Sequence, residues 1–176
     1  CFYFFGSQRL EKFNNIEANK LDYKIRVISS NVSIDRFYND TDPISVINDL
    51  IKISSPQKNE KTIFIWPEGI LPSTSKDKLK EYKFLFENEF NENHILVIGI
   101  NEIKKEGQIV KYFNSFTIYD NSLEILNTYN KVNLVPFGEF LPFEKLLRHT
   151  GLKTITHNYQ SYSRGEKRDV IEVNKI

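Results

Sequence analysis

Thr62-Ile63-Phe64-Ile65-Trp66 runs directly into Pro67-Glu68. An unbroken apolar and β-branched run of this length is the pattern of a strand covered on both faces, as in a parallel sheet. Pro67 has no N–H to give a strand ladder, so the strand stops there and leaves a carboxylate at its carboxyl end. A second run of the same kind, His94-Ile95-Leu96-Val97-Ile98-Gly99-Ile100, follows. Between the two, residues 76–90 predict a helix with Leu79, Tyr82, Leu85, Phe86 and Phe90 facing inward. Upstream, Asp42-Pro43 opens another helix, with Asp as the N-cap and Pro in the first turn. Its stripe is Ile44, Ile47, Ile51 and Ser54, widened by Val46, Leu50 and Ile53, and Ser55-Pro56 ends it. Residues 23–32 alternate and carry β-branched side chains, which predicts a strand. Downstream, residues 113–120 and 124–131 flank Asn121-Ser122 as two strands of a hairpin. A short helix is expected over 143–149, after Pro142. The order β-α-β-α-β-β-β is that of a layered α/β domain.

The chain has 176 residues, 40% of them hydrophobic and 27% charged, which is the composition of one folded domain. Its 24 Lys and Arg nearly cancel 23 Asp and Glu. A net charge of +1 gives no field to hold a polyanion, so no nucleic acid is expected as a partner. The single cysteine, Cys1, excludes an intrachain disulfide and a Cys-based zinc site. His94, His149 and His157 lack metal-ligand spacing and read as surface or hydrogen-bonded histidines. No glycine-rich phosphate loop is present. The absence of Met, even at position 1, and the strand-like end at Val173-Asn174-Lys175-Ile176 suggest a processed chain or a segment of a longer one. Cys1-Phe2-Tyr3-Phe4-Phe5-Gly6 is apolar but too short to span a bilayer, which takes about 20 residues. It fits either the end of a membrane helix or a buried strand.

Three charged groups stand where strands end or in the loop that follows. Glu68 follows the first strand, Lys131 closes the last, and Glu139 lies in Val135-Pro136-Phe137-Gly138-Glu139-Phe140-Leu141-Pro142-Phe143. Sites in α/β sheets are built beyond the carboxyl ends of strands. An apolar frame raises a carboxyl pKa and a nearby ammonium lowers it again. Such a trio can hold a carboxylate base beside a fixed cation able to steady an oxyanion. It lacks a nucleophile. The alternative is that these residues are solvated turn and strand-end charges, and the pattern alone leaves both open.

Two blocks carry a resemblance. Ile63-Phe64-Ile65-Trp66-Pro67-Glu68 and the stretch Tyr129-Asn130-Lys131-Val132-Asn133-Leu134-Val135-Pro136-Phe137-Gly138-Glu139-Phe140-Leu141-Pro142-Phe143-Glu144 resemble the nitrilase-like (carbon–nitrogen hydrolase) domain of bacterial apolipoprotein N-acyltransferases. The first block is shared by many nitrilase-like amidases; the second is specific to the acyltransferase branch. The resemblance implies a nitrilase-like αββα sandwich, incomplete at the C-terminus. Residues 1–10 would be the end of a membrane helix, 11–22 a linker, and 23–176 the N-terminal part of the domain. It implies Glu68 as general base, Lys131 as oxyanion-stabilising cation and Glu139 as the second essential acid.

The family's cysteine nucleophile has no counterpart here. Ser163-Arg164-Gly165 and residues 170–173 look like the segment just before it, so the isolated chain is expected to be inactive. The implied reaction is ping-pong transfer of an acyl chain from a phospholipid to the N-terminal cysteine amine of an apolipoprotein, and the resemblance implies neither a metal nor an organic cofactor for it. It implies a monomer at the bacterial inner membrane, with the domain facing the periplasm. Phe137, Phe140, Leu141 and Phe143 read as an apolar lip that meets acyl chains, or as local packing. The charged run 164–169 reads as a solvated turn. Two rivals stand beside the acyltransferase: a soluble nitrilase-like amidase, and a non-catalytic remnant of a split or degraded gene.

Overall fold

The computed structural model describes residues 2–14, 22–30, 42–143, 161–168 and 170–171. Five strands form one sheet whose spatial order repeats the sequence order: β1 (Lys24–Val27), β2 (Thr62–Trp66), β3 (His94–Glu106), β4 (Ile109–Tyr119) and β5 (Ile125–Asn130). β1, β2 and β3 are parallel, and β3, β4 and β5 are antiparallel. The expected α/β class and element order hold.

The helix α2 (Pro43–Ser54) lies between β1 and β2 in sequence. Asp42 caps it, accepting from the backbone N–H of Ile44 and Ser45 at 3.1 and 3.2 Å. Ser55 ends it in the left-handed region, and Arg26 donates to the freed carbonyls of Ser54 and Ser55. Val46, Ile47, Leu50, Ile51 and Ser54 are buried, while Ile44 and Ile53 face outward. The helix predicted over 76–90 is instead a 3₁₀ turn (Lys78–Tyr82) followed by one α-turn, α3 (Lys83–Phe86). Neither piece has a side-chain cap, and the aromatic residues at 82, 84 and 86 are weak helix formers. Packing shapes the segment instead: Leu79, Phe86 and Phe90 are buried, and Phe86 lies against Trp66 and Phe90.

The main core sits between these helices and one face of the sheet, around Phe64, Trp66, Leu96, Ile98 and Tyr119. Trp66 donates through Nε1 to Ser54 Oγ at 3.0 Å, tying β2 to α2. His94 is buried there, accepting from the Asn91 N–H at Nδ1 and pairing through Nε2 with the Gln57 carbonyl. It is the hydrogen-bonded histidine expected; His149 and His157 lie outside the described residues. The opposite sheet face carries a smaller cluster of Ile95, Val97 and Ile118, flanked by Ile63, Ile65, Leu126 and Ile171. Of the expected αββα sandwich, the described residues form one sheet with α2 and the 76–90 segment on one of its faces.

Several boundaries differ from the sequence reading. β3 continues past Ile100 to Glu106 and pairs with β4 as a long ribbon, turned at Gly107 with φ 61°. Its outer half is exposed, so apolar alternation is not needed there. β1 is shorter than expected, four residues. At the N-terminus, α1 (Phe2–Asn14) runs through the expected linker boundary at residue 10, with Tyr3, Phe4, Phe5, Leu10 and Phe13 exposed. No helix among the described residues is long and apolar enough to cross a membrane. The short helix expected over 143–149 falls, from residue 144 on, outside the described residues, as does Cys1.

Candidate active site

Glu68 is set by the end of β2 and by a close approach to β3. A Cβ at Gly99 would lie 2.6 Å from Glu68 Cα and 3.1 Å from the Pro67 carbonyl oxygen. Only glycine lets the Pro67-Glu68 turn rest on the strand at that point. Lys131 is placed by the β4–β5 ladder, which its N–H extends by one bond, to Asn114 O at 2.9 Å. Glu139 is placed by its own loop. Its N–H donates to Val135 O at 2.8 Å, and Phe137 N–H donates to Phe140 O at 2.8 Å. The carboxylate turns back to accept from the Val135 N–H at 2.8 Å. Leu134 and Leu141, both buried, pin the two ends of this loop.

These three elements bring the three predicted residues together. Lys131 Nζ lies 2.8 Å from Glu139 Oε1 and 3.2 Å from Glu68 Oε1. Asn114, on β4, completes the cluster: its Nδ2 donates to Glu139 Oε1 at 2.6 Å and also to Glu68 Oε1. Sequence reasoning missed Asn114. The available signal was a polar pair, Asn114-Ser115, set between Phe113 and Phe116 in the middle of a strand.

The two acids are not equivalent. Glu139 is 12% exposed and both of its oxygens are engaged, whereas Glu68 is 61% exposed. Glu68 Oε2 has no hydrogen-bond partner among the described residues. Burial pushes the Glu139 carboxyl up, but Lys131, the Val135 N–H and Asn114 together outweigh it and hold it below its ordinary value. The Lys131 ammonium is raised, chiefly by its hydrogen bond to Glu139, against an opposing desolvation and with further help from Glu68. The arrangement is a fixed ammonium–carboxylate pair beside a second carboxylate that has one oxygen held and one open.

Beside this cluster a cavity of about 490 Å³ runs over Ile65, Trp66, Gly99, Ser115, Phe116 and Tyr129, with Glu68 and Lys131 at its rim. The lip residues divide. Phe137 and Phe143 are exposed, both with positive φ, and Phe140 is half-buried under the Arg164 guanidinium. Leu141 is buried, so the expected outward-facing role is corrected for that residue: it anchors the loop. In the 164–169 run, residues 164 and 166–168 are solvent-exposed as expected, but Gly165 packs so tightly on the Asn130 carbonyl that no side chain fits. Among the described residues no group of His, Cys, Asp and Glu is arranged to hold a metal.

The chain is similar to curated apolipoprotein N-acyltransferases, as the sequence blocks suggested. It is 29% identical over 139 residues to that of Rhizobium leguminosarum bv. trifolii, which covers 76% of this chain and 26% of the relative. It is 23% identical over 175 residues to that of Brucella suis, covering 96% and 33%. With that of Agrobacterium fabrum it shares 27% over 160 residues, covering 86% and 29%. The chain thus spans about a quarter to a third of these relatives' length. No protein-family model matches it. Among solved structures, it resembles a carbon–nitrogen hydrolase from Helicobacter pylori, with a TM-score of 0.47 and 15% identity over 82% of this chain and 45% of that one. An amidase from Nesterenkonia sp. gives a TM-score of 0.42 and 17% identity over 83% and 49%.

Proposed function

We propose that these residues supply the acid–base part of an acyl-transfer site, in an enzyme that moves an acyl chain from a phospholipid to the N-terminal amine of an apolipoprotein. The observation that carries this reading is the pairing of Lys131 with Glu139 beside a Glu68 carboxylate that keeps one oxygen open. The likeness to the acyltransferases supports it.

The reading requires a thiol from outside the described residues. Its sulfur attacks the ester carbonyl carbon, and Glu68 Oε2 takes the S–H proton. The carbonyl oxygen becomes an oxyanion, for which the Lys131 ammonium is the available cation. The C–O bond then breaks, Glu68 returns the proton to the leaving alcohol, and a thioester remains. In the second half, the amine nitrogen attacks the thioester, the C–S bond breaks, and the amine's proton passes by way of Glu68 to the departing sulfur. Glu139 takes no proton in either half; it holds Lys131 charged and in place. Exposed Phe137 and Phe143 suit an acyl donor at a lipid surface, and the exposed aromatic residues Tyr3, Phe4, Phe5 and Phe13 of α1 suit the same surface. On this reading the enzyme works at the inner membrane from its periplasmic side.

The test is thioester formation from a labelled phospholipid by the full product of the gene. Glu68→Gln is expected to slow it by about 10²–10⁴-fold, the usual loss for a general base. An unchanged rate would remove Glu68 from the chemistry. Turnover of small soluble amides with no thioester from phospholipid would favour the soluble amidase.

A further inference from the structure

Glu102 is a carboxylate only 3% exposed, on β3 two residues beyond the run that reads as buried strand. It bonds Lys76 Nζ on one side and accepts from Asn130 Nδ2 at 2.6 Å on the other. Lys104 Nζ stands 3.5 Å away. Asn130 is the residue before Lys131, and its Oδ1 accepts from Ser115 Oγ at 2.6 Å. Lys76 ends the loop that begins at Glu68.

The neighbouring residue does a related job on the other face of the strand, since consecutive strand side chains point to opposite sides. Asn101 Nδ2 donates to Pro72 O at 3.2 Å, within the loop behind Glu68, and its carbonyl accepts from the Lys76 N–H at 2.8 Å. Its Oδ1 accepts from Tyr162 OH at 2.9 Å, and the Tyr162 N–H donates to the Glu139 carbonyl at 2.8 Å. Two consecutive β3 residues therefore grip the supports of all three charged groups.

We infer that Asn101 and Glu102 are positioning residues that fix Glu68, Lys131 and Glu139 relative to one another, Glu102 acting on Lys131 through Asn130. The inference rests on the acyl-transfer reading for its kinetic consequence, but not for its geometry. Burial pushes the Glu102 carboxyl up, and Lys76 and Asn130 outweigh that and hold it ionised. Asn130 can therefore only donate to it, and Ser115 must give its proton to Asn130. Glu102→Gln can keep the network by an amide flip at Asn130, with Ser115 becoming the acceptor. Glu102→Ala cannot.

The test compares Glu102→Ala, Glu102→Gln and Glu68→Gln in the full product of the gene, each assayed well below its melting temperature. Glu102→Ala is expected to lower kcat by about 10–100-fold with KM for the phospholipid little changed, the cost of a misplaced catalytic group. Glu102→Gln is expected to recover most of that loss. Amine labelling of Lys131, read by peptide mass spectrometry, reports its placement whether or not acyl groups move. In Glu102→Ala the labelling rate is expected to rise several-fold, as Lys131 loses its fixed place between Glu139 and Glu68. Unchanged labelling, unchanged kcat in Glu102→Ala, or a Gln variant as slow as Ala overturns the inference. If Glu68→Gln is fully active while Lys131 labelling still rises in Glu102→Ala, the acyl-transfer reading fails and the positioning role stands.

Discussion

Gly99→Ala tests the placement of Glu68 without touching any charged group. The new Cβ would meet Glu68 Cα at 2.6 Å, the Glu68 nitrogen at 3.0 Å and the Pro67 oxygen at 3.1 Å, whereas ordinary contact begins at 3.4 Å. All three atoms are backbone, so no side chain can swing aside. The Pro67-Glu68 turn must lift by about 0.8 Å, the overlap an over-packed contact has to relieve. Lifting Glu68 lengthens its 3.2 Å bond to Lys131, while the 2.8 Å Lys131–Glu139 bond, anchored elsewhere, is kept. The structural cost is about 1–3 kcal/mol. On the acyl-transfer reading, a shift of Glu68 approaching 1 Å is expected to lower the rate by up to about 10²-fold. Thermal melting and phospholipid-dependent thioester formation by the full gene product measure the two effects separately. Gly138→Ala is the control for melting, because the nearest atom its Cβ would meet is on Val135, at an ordinary 3.6 Å. If Gly99→Ala melts and reacts like the wild type, the close approach of Glu68 to β3 is not a constraint, and the account of how this acid is placed is wrong.

The charge pair and the exposed lip each carry expectations of their own. Glu139 has a lowered pKa in the folded chain, so its stabilising contribution is complete above the unfolded value of about 4.3 and is lost as pH falls through the folded value. Stability curves of Glu139→Gln are therefore expected to lie below wild type at pH 7 and to converge with it in acid; parallel curves would contradict the pairing. The raised Lys131 works the other way: its contribution is complete below about pH 10.4 and disappears as pH rises through its folded value. The double variant Phe137→Ser, Phe143→Ser changes two exposed side chains, so melting is expected to move by no more than about 0.5 kcal/mol. Its KM for a phospholipid donor should rise several-fold while small soluble substrates are unaffected; equal effects on both would argue against a lipid-facing lip.

What the sequence made legible was whatever had to be apolar or had to stop. The run at 62–66 and the first half of β3 could be read because one face of each lies in the main core and the other joins the smaller cluster. The Asp42 cap and Pro43 fixed the start of α2 by local hydrogen bonding alone. The outer β3–β4 ribbon was missed because Asn101-Glu102-Ile103-Lys104-Lys105-Glu106 carries no burial pattern. The segment after Ser75 was misread because aromatic packing breaks the helix that its spacing suggests. Glu68, Lys131 and Glu139 could be singled out as candidates because they stand where strands end or in the loop beyond, and they do meet in space. Asn114 and Glu102 could not, since a single polar residue inside a strand looks like an outward-facing one until its neighbours in space are known. Leu141 shows the same limit in reverse: its apolar side chain fits a lip or an anchor equally well on paper, and burial decides for the anchor.

Because the strands stand in space in the order in which they are made, the sheet can be dismantled from one margin inward. β5 is the margin strand among the described residues, all of it only half-buried, and Lys131 hangs from its last rung. Local opening favours such peripheral, weakly covered elements. The ammonium would be released while the hydrophobic layer beneath β2 and β3 is still whole, so the charged cluster is more perishable than the architecture that carries it.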